Sequence, residues 1–174
     1  MNILLKGNYT DKAFIKRFRH PKIYETQSCF MAVYAIEKDL SEYPASLVVE
    51  CEKYRVGITD YTDMCFQHYA YEPSFAPEGH TVLNVLISQG DYDYKYWENI
   101  YFNKKLYKSE KQRIADFIQK VLEERYPELI GKIKLIDVLS PMTFKRYCSS
   151  YHGAWLAFRM GKGPHNFLHT GKTT

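Results

Sequence analysis

An α+β unit, with helices packed on one side of a mostly antiparallel or mixed sheet of about five strands, follows from three features of this chain. Short segments rich in β-branched and aromatic residues dominate residues 29–88, helical periodicity dominates residues 91–126, and Pro and Gly punctuate the strands at turn-like spacing. At 174 residues, 45% hydrophobic and 25% charged, the chain is sized for one domain with a sizeable core. The expected organisation is a single domain over residues 1–174.

The elements follow in order. Between Asp11 and Arg19, Phe14, Ile15 and Phe18 recur at helical spacing, with Thr10 as the cap and Pro21 beyond the end. Cys29 to Glu37 and Ala45 to Cys51 read as an antiparallel pair joined by the polar stretch from Lys38 to Pro44, and their apolar continuity predicts burial on both faces. A third strand is expected from Phe66 to Glu72, with Phe66, His68 and Ala70 on one face and Gln67, Tyr69 and Tyr71 on the other. Pro73, Pro77 and Gly79 then break regular structure before an apolar, β-branched fourth strand from Thr81 to Ser88.

From Asp91 the pattern becomes helical, with Tyr92, Tyr96 and Ile100 along one side and Trp97 beside them. A longer helix between about Tyr107 and Tyr126 aligns Ile114, Phe117, Ile118, Val121 and Leu122, opposed by Lys111, Asp116, Lys120 and Glu123, and stops at Pro127. Lys132 to Leu139 is the fifth strand, with Ile133, Leu135 and Asp137 on one side. Ser140-Pro141 supplies a cap and a first-turn proline for a last helix over Met142 to Ser150.

Composition excludes several classes. The longest apolar runs, such as Phe30 to Ile36, fall far short of the roughly 20 residues of a membrane helix. No signal peptide is recognisable near Met1, so a cytoplasmic location is expected. Cys29, Cys51, Cys65 and Cys148 lack C-x-x-C spacing and read as buried free thiols. Basic charge concentrates at the ends, with six Lys/Arg against one Asp in residues 1–22 and five against none in residues 145–174. Neither cluster is dense or forms a recognised nucleic-acid motif, so no nucleic-acid partner is expected.

The C-terminal region imitates known sites without completing them. Gly161-Lys162-Gly163-Pro164-His165-Asn166 starts like a dinucleotide loop but has Asn where the third glycine belongs. Gly171-Lys172-Thr173 resembles the end of a phosphate loop, yet the first glycine of that motif is Asn166 here. His165 and His169 lack an evident third ligand, so no metal is expected. Cys148 and His152 share the same spacing, but nucleophilic catalysis also needs a third positioned group and an oxyanion site. Tyr147, Tyr151, Trp155 and Phe158 are close in sequence and offer either a ligand-lining wall or ordinary packing.

The block from Tyr71 to Leu83, Tyr-Glu-Pro-Ser-Phe-Ala-Pro-Glu-Gly-His-Thr-Val-Leu, resembles the "P-S-x-A-P-x-G-x-T-V-L" segment of phytoene desaturase-like FAD-dependent oxidoreductases, the group of carotenoid desaturases and retinol saturase-like enzymes. Phe30 to Glu37 followed by Leu40-Ser41 looks like that family's strand and "D-L-S" turn. Lys111 to Ala115 followed by Glu124 to Pro127 is similar to its long surface helix. Asp137-Val138, Ser140 to Phe144, Arg146-Tyr147 and Tyr151 to Ala154 resemble its "D-x-x-T-P-x-T-x-x-R-Y" and "Y-x-G-x" run. The matches keep the family's order and cover nearly the whole chain.

The resemblance implies the substrate-binding domain of a flavoprotein oxidoreductase that acts on a long apolar, isoprenoid-like substrate, with hydride passing between substrate and FAD. The flavin-binding glycine fingerprint is not in this sequence, so the flavin-binding domain is the expected partner, FAD belongs to the parent enzyme, and the isolated chain is expected to hold no cofactor and to be inactive. Tyr147, Tyr151, Gly153 and Trp155 would line the substrate near the flavin, Gly153 by permitting close approach. No side chain is nominated as catalytic acid or base. The resemblance also allows peripheral membrane contact in the parent enzyme. The alternative is a stand-alone lipid-binding or protein-interaction module without redox chemistry.

Overall fold

The computed structural model describes residues 12–20, 24–156 and 158. Thr10 and Pro21, the Gly161 to Asn166 run, His165, His169 and the Gly171 to Thr173 run lie outside them, as do the side chains of Phe14 and Phe18. In chain order the elements are α1 (Lys12–Arg19), β1 (Ser28–Ile36), β2 (Ser46–Val56), β3 (Thr59–His68), β4 (Thr81–Gln89), α2 (Asp91–Tyr101), α3 (Lys104–Arg125), β5 (Ile133–Leu139) and α4 (Pro141–Cys148). The fold is α+β, on one five-stranded antiparallel sheet ordered β2-β3-β4-β1-β5.

Strand pairing corrects one expectation. β1 and β2 are not partners: β1 lies between β4 and β5, while β2 pairs with β3 through a tight turn at Gly57, whose φ of 68° needs a residue without Cβ. The third strand accordingly runs from Thr59 to His68 and stops before Tyr69, and β2 extends to Val56. A Lys38 to Pro44 link long enough to cross the sheet was compatible with either pairing; the shorter β2–β3 connection closes at lower entropic cost. As an edge strand, β2 is also not buried on both faces, and Val48 is 63% exposed. The block after Tyr71 does join two sheet neighbours, because Cys65 to His68 pair with Leu86 to Leu83.

Alternation along the strands divides the sheet into a helix face and an open face. Phe30, Ala32, Tyr34 and Ile36 of β1 and Leu83, Val85 and Ile87 of β4 are buried against Ile114, Ile118, Val121 and Leu122 of α3 and Tyr94 and Trp97 of α2. The buried face of α2 is thus centred on Tyr94 and Trp97, one turn apart, with the expected Tyr96 and Ile100 partly buried beside them, while Tyr92 is exposed. The reason is polar: Asp91 and Asp93 must also point inward, and they fix the helix rotation. Trp97 stacks on Phe30 at 5.7 Å and donates its indole N–H to Gln89 Oε1 at 2.8 Å, which satisfies a buried amide. In β5 a bulge at Ile136 resets the alternation, so Ile133 and Leu135 turn to the core while Asp137 does not. Ser140 caps α4 as expected, its Oγ accepting from the Met142 amide at 3.2 Å.

Candidate functional site

The open face carries a continuous apolar row. Register places Val48 opposite Cys65, Cys65 opposite Leu86, Leu86 opposite Met31, and Met31 opposite Leu139, one residue from each of the five strands. None of these side chains joins the helix-side core. Strands sit about 4.8 Å apart, so the row extends roughly 19 Å across the sheet. It is an apolar floor flanked by the more polar row of Ser46, Gln67, Asn84, Val33 and Asp137.

The segment that follows α4 docks at the start of β1, away from this row. The helix ends at Ser149, in the left-handed region with φ 49°, and the chain turns again at His152 with φ 48°. Two amides, of Trp155 and Leu156, then donate to the Gln27 carbonyl at 3.0 and 3.1 Å. Gln27 lies four residues before Met31, about 13 Å along the strand. Tyr151 is 42% and Trp155 43% exposed in this segment.

Gly153 is buried, with φ 63°, and an added Cβ would sit 2.1 Å from the Pro141 carbonyl oxygen. Its carbonyl accepts from Ser28 Oγ at 2.5 Å. The close approach that glycine permits here is therefore to the start of α4, which ties the turn to both the helix and β1. Tyr147, 73% exposed, stands instead in a cleft beside Tyr101 and Tyr107. Of the four residues expected to line substrate, Tyr151, Gly153 and Trp155 share one turn, and no ring contact joins Tyr147 to them among the described residues.

Sequence reasoning missed the group that orders this turn. Asp91, buried at the first position of α2, accepts from the Thr26 amide at 3.1 Å and the Thr26 hydroxyl at 2.5 Å, and its Oδ1 lies 2.9 Å from His152 Nδ1. The His152 ring is stacked between Tyr151, at 3.9 Å, and Tyr94, at 4.9 Å. Tyr94 bonds Glu98 and Lys145, holding α4 against α2. A hydrophilic first turn in an otherwise aromatic helix, Asp91-Tyr92-Asp93, was the available signal.

His152 is therefore committed to Asp91, and among the described residues no hydrogen bond joins it to Cys148, which is exposed. Only Cys29 is a buried thiol, and burial pushes its pKa up to about 12; Cys51 and Cys65 are half-buried, because both lie toward the open edge of the sheet. No group of metal-ligating side chains occurs among the described residues, and no described helix is long and apolar enough to cross a membrane. Compared with protein-family models, curated proteins and solved structures, the chain matches none of them.

Proposed function

We propose that this chain is the substrate-binding portion of a phytoene desaturase-like FAD-dependent oxidoreductase, with the apolar row of the open sheet face as the floor for a long isoprenoid-like substrate. The observation that carries the reading is that row: five aligned apolar side chains from Val48 to Leu139, outside the helix-side core, in a chain whose motifs follow that family's order. Removal of an extended hydrocarbon from water is the dominant source of affinity on such a floor. Tyr151 and Trp155, in the turn held at Gln27 and Ser28, present exposed flat rings with polar tips.

FAD fits the partner domain rather than the described residues. Among the described residues, the junction that runs from strand through glycine into a helix, at Gly90, has the Gly90 amide taken by the Asp93 carboxylate, and Asp91 beside it is also acidic. A diphosphate there would meet two carboxylates. The flavin supplies hydride transfer when bound by its own domain; this chain's part is to hold the substrate and exclude water.

The test is titration of a long isoprenoid polyene into the protein, followed by quenching of intrinsic fluorescence, in the native chain and in Leu86→Glu. Saturable binding that the substitution abolishes supports the floor. Absence of binding, or binding indifferent to Leu86→Glu, overturns it. Recombination with a dinucleotide-binding domain encoded beside this segment separates the redox reading from a stand-alone lipid-binding module: bleaching of the flavin by bound substrate supports the former, and substrate binding with an unchanged flavin spectrum supports the latter.

A further inference from the structure

A second site opens on the opposite edge of α4. Lys104, Lys108 and Lys111 recur on one face of α3, and Arg146 faces them from α4 across a cleft of about 400 Å³. Among the described residues, none of the four cations makes an ion pair within 4.0 Å, although seven such pairs form elsewhere among them. The single acid in the cleft wall is Asp137, whose Oδ1 accepts from the Val138 amide at 2.7 Å.

Aromatic rings hold the cations in place. Lys104 Nζ lies 4.0 Å from the Tyr101 ring centre, Lys111 Nζ 5.4 Å from that of Tyr107, and the Arg146 guanidinium 5.1 Å from that of Tyr147. Tyr101 and Tyr107 pack edge to face at 5.3 Å, and the Tyr107 hydroxyl is fixed 2.7 Å from Ser140 Oγ. The walls are thus set before any ligand arrives. Burial lowers the Lys111 pKa, and the Asp137 carboxylate in the cleft wall offsets this only in part.

We infer that this cleft is a binding site for a small phosphorylated ligand, of the diphosphate or bis-phosphate class, with an aromatic or apolar body resting on the exposed Tyr147 ring. Geometry selects the class. Lys104 and Lys111 are seven positions apart on a helix, about 10 Å along its axis, which is wider than one phosphate group spans. Two linked anionic groups reach both ends of the row, and three cations in excess of Asp137 match their charge. The volume suits a small molecule. The inference is independent of the redox reading, since neither flavin nor the apolar row of the open face takes part.

Inorganic pyrophosphate is the probe, titrated calorimetrically into the whole chain at low and moderate salt, with inorganic phosphate as the comparison. Saturable one-to-one binding of pyrophosphate, at least tenfold tighter than phosphate and weakened tenfold or more by Lys111→Gln and by the exposed Arg146→Gln, supports the site. Arg146→Gln should leave thermal unfolding unchanged, so a loss of binding there is not a loss of fold. Lack of saturable binding, equal affinity for the two anions, or binding that survives the Lys111→Gln/Arg146→Gln double variant overturns it. Binding seen only with vesicles of anionic phospholipid, and not with pyrophosphate, also overturns the small-ligand assignment.

Discussion

Asp91 and His152 join at 2.9 Å across 61 residues of sequence, and this contact closes the C-terminal turn onto the start of α2. The same carboxylate holds the Thr26 amide and hydroxyl, so one buried side chain organises three segments. Asp91→Ala should cost roughly 2–4 kcal/mol, since it strands buried donors as well as deleting their acceptor. Urea unfolding measures this. A change below about 0.5 kcal/mol, the range of a surface substitution, would show that the contact orders nothing.

At Gly153 two requirements coincide, a φ of 63° and the absence of Cβ beside the Pro141 carbonyl. Gly153→Ala should destabilise by about 2 kcal/mol or more, and Gly79→Ala, also at positive φ but with open space around it, by clearly less. Thermal melts of the two variants compare them. Equal losses would mean that backbone conformation alone, and not the contact with α4, sets the requirement.

The two faces of the sheet should respond differently to truncation. Ile87→Ala removes a side chain buried in the helix-side core and should cost roughly 2–5 kcal/mol. Leu86→Ser, its neighbour on the open face, should cost less than half as much while weakening binding of the isoprenoid probe. Paired unfolding and binding curves decide this. Equal stability losses would mean that the open face is covered.

Cys29 links stability to alkaline pH. Its thiol ionises near the ordinary value of 9.0 when unfolded and at about 12 when folded, so burial favours the neutral form. The contribution is complete below pH 9.0 and is lost progressively as the pH rises toward about 12, where the unfolded chain gains a thiolate that the folded chain resists. Burial also raises the Tyr34 and Tyr54 hydroxyls and adds to the decline. Unfolding free energy measured across this window should fall less steeply in Cys29→Ala. A thiol reagent at neutral pH should modify exposed Cys148 first and Cys29 last.

Local pattern alone carried much of this architecture. The apolar, β-branched run from Thr81 to Ser88, the apolar stripe from Ile114 to Leu122 and the Ser140-Pro141 cap depend on neighbours within a few residues, and each element appears where the local pattern predicts. The α+β class follows from their sum. Pairing partners, by contrast, depend on contacts between distant segments, and the order β2-β3-β4-β1-β5 is not written in any one of them. One bulged residue, Ile136, was enough to reverse the facing of Asp137.

The same division holds for the sites. That Val48, Cys65, Leu86, Met31 and Leu139 are apolar is plain in the sequence, but only register aligns them into one row. The spacing of Lys104, Lys108 and Lys111 is legible as a helix face, whereas Arg146 reaches their cleft only because α4 folds back beside α3. Sequence by itself determined which residues favour strand, helix or cap, through short-range sterics and hydrogen bonding. Tertiary structure decided which of them meet, because a buried carboxylate such as Asp91 takes its partners from wherever packing brings donors within reach.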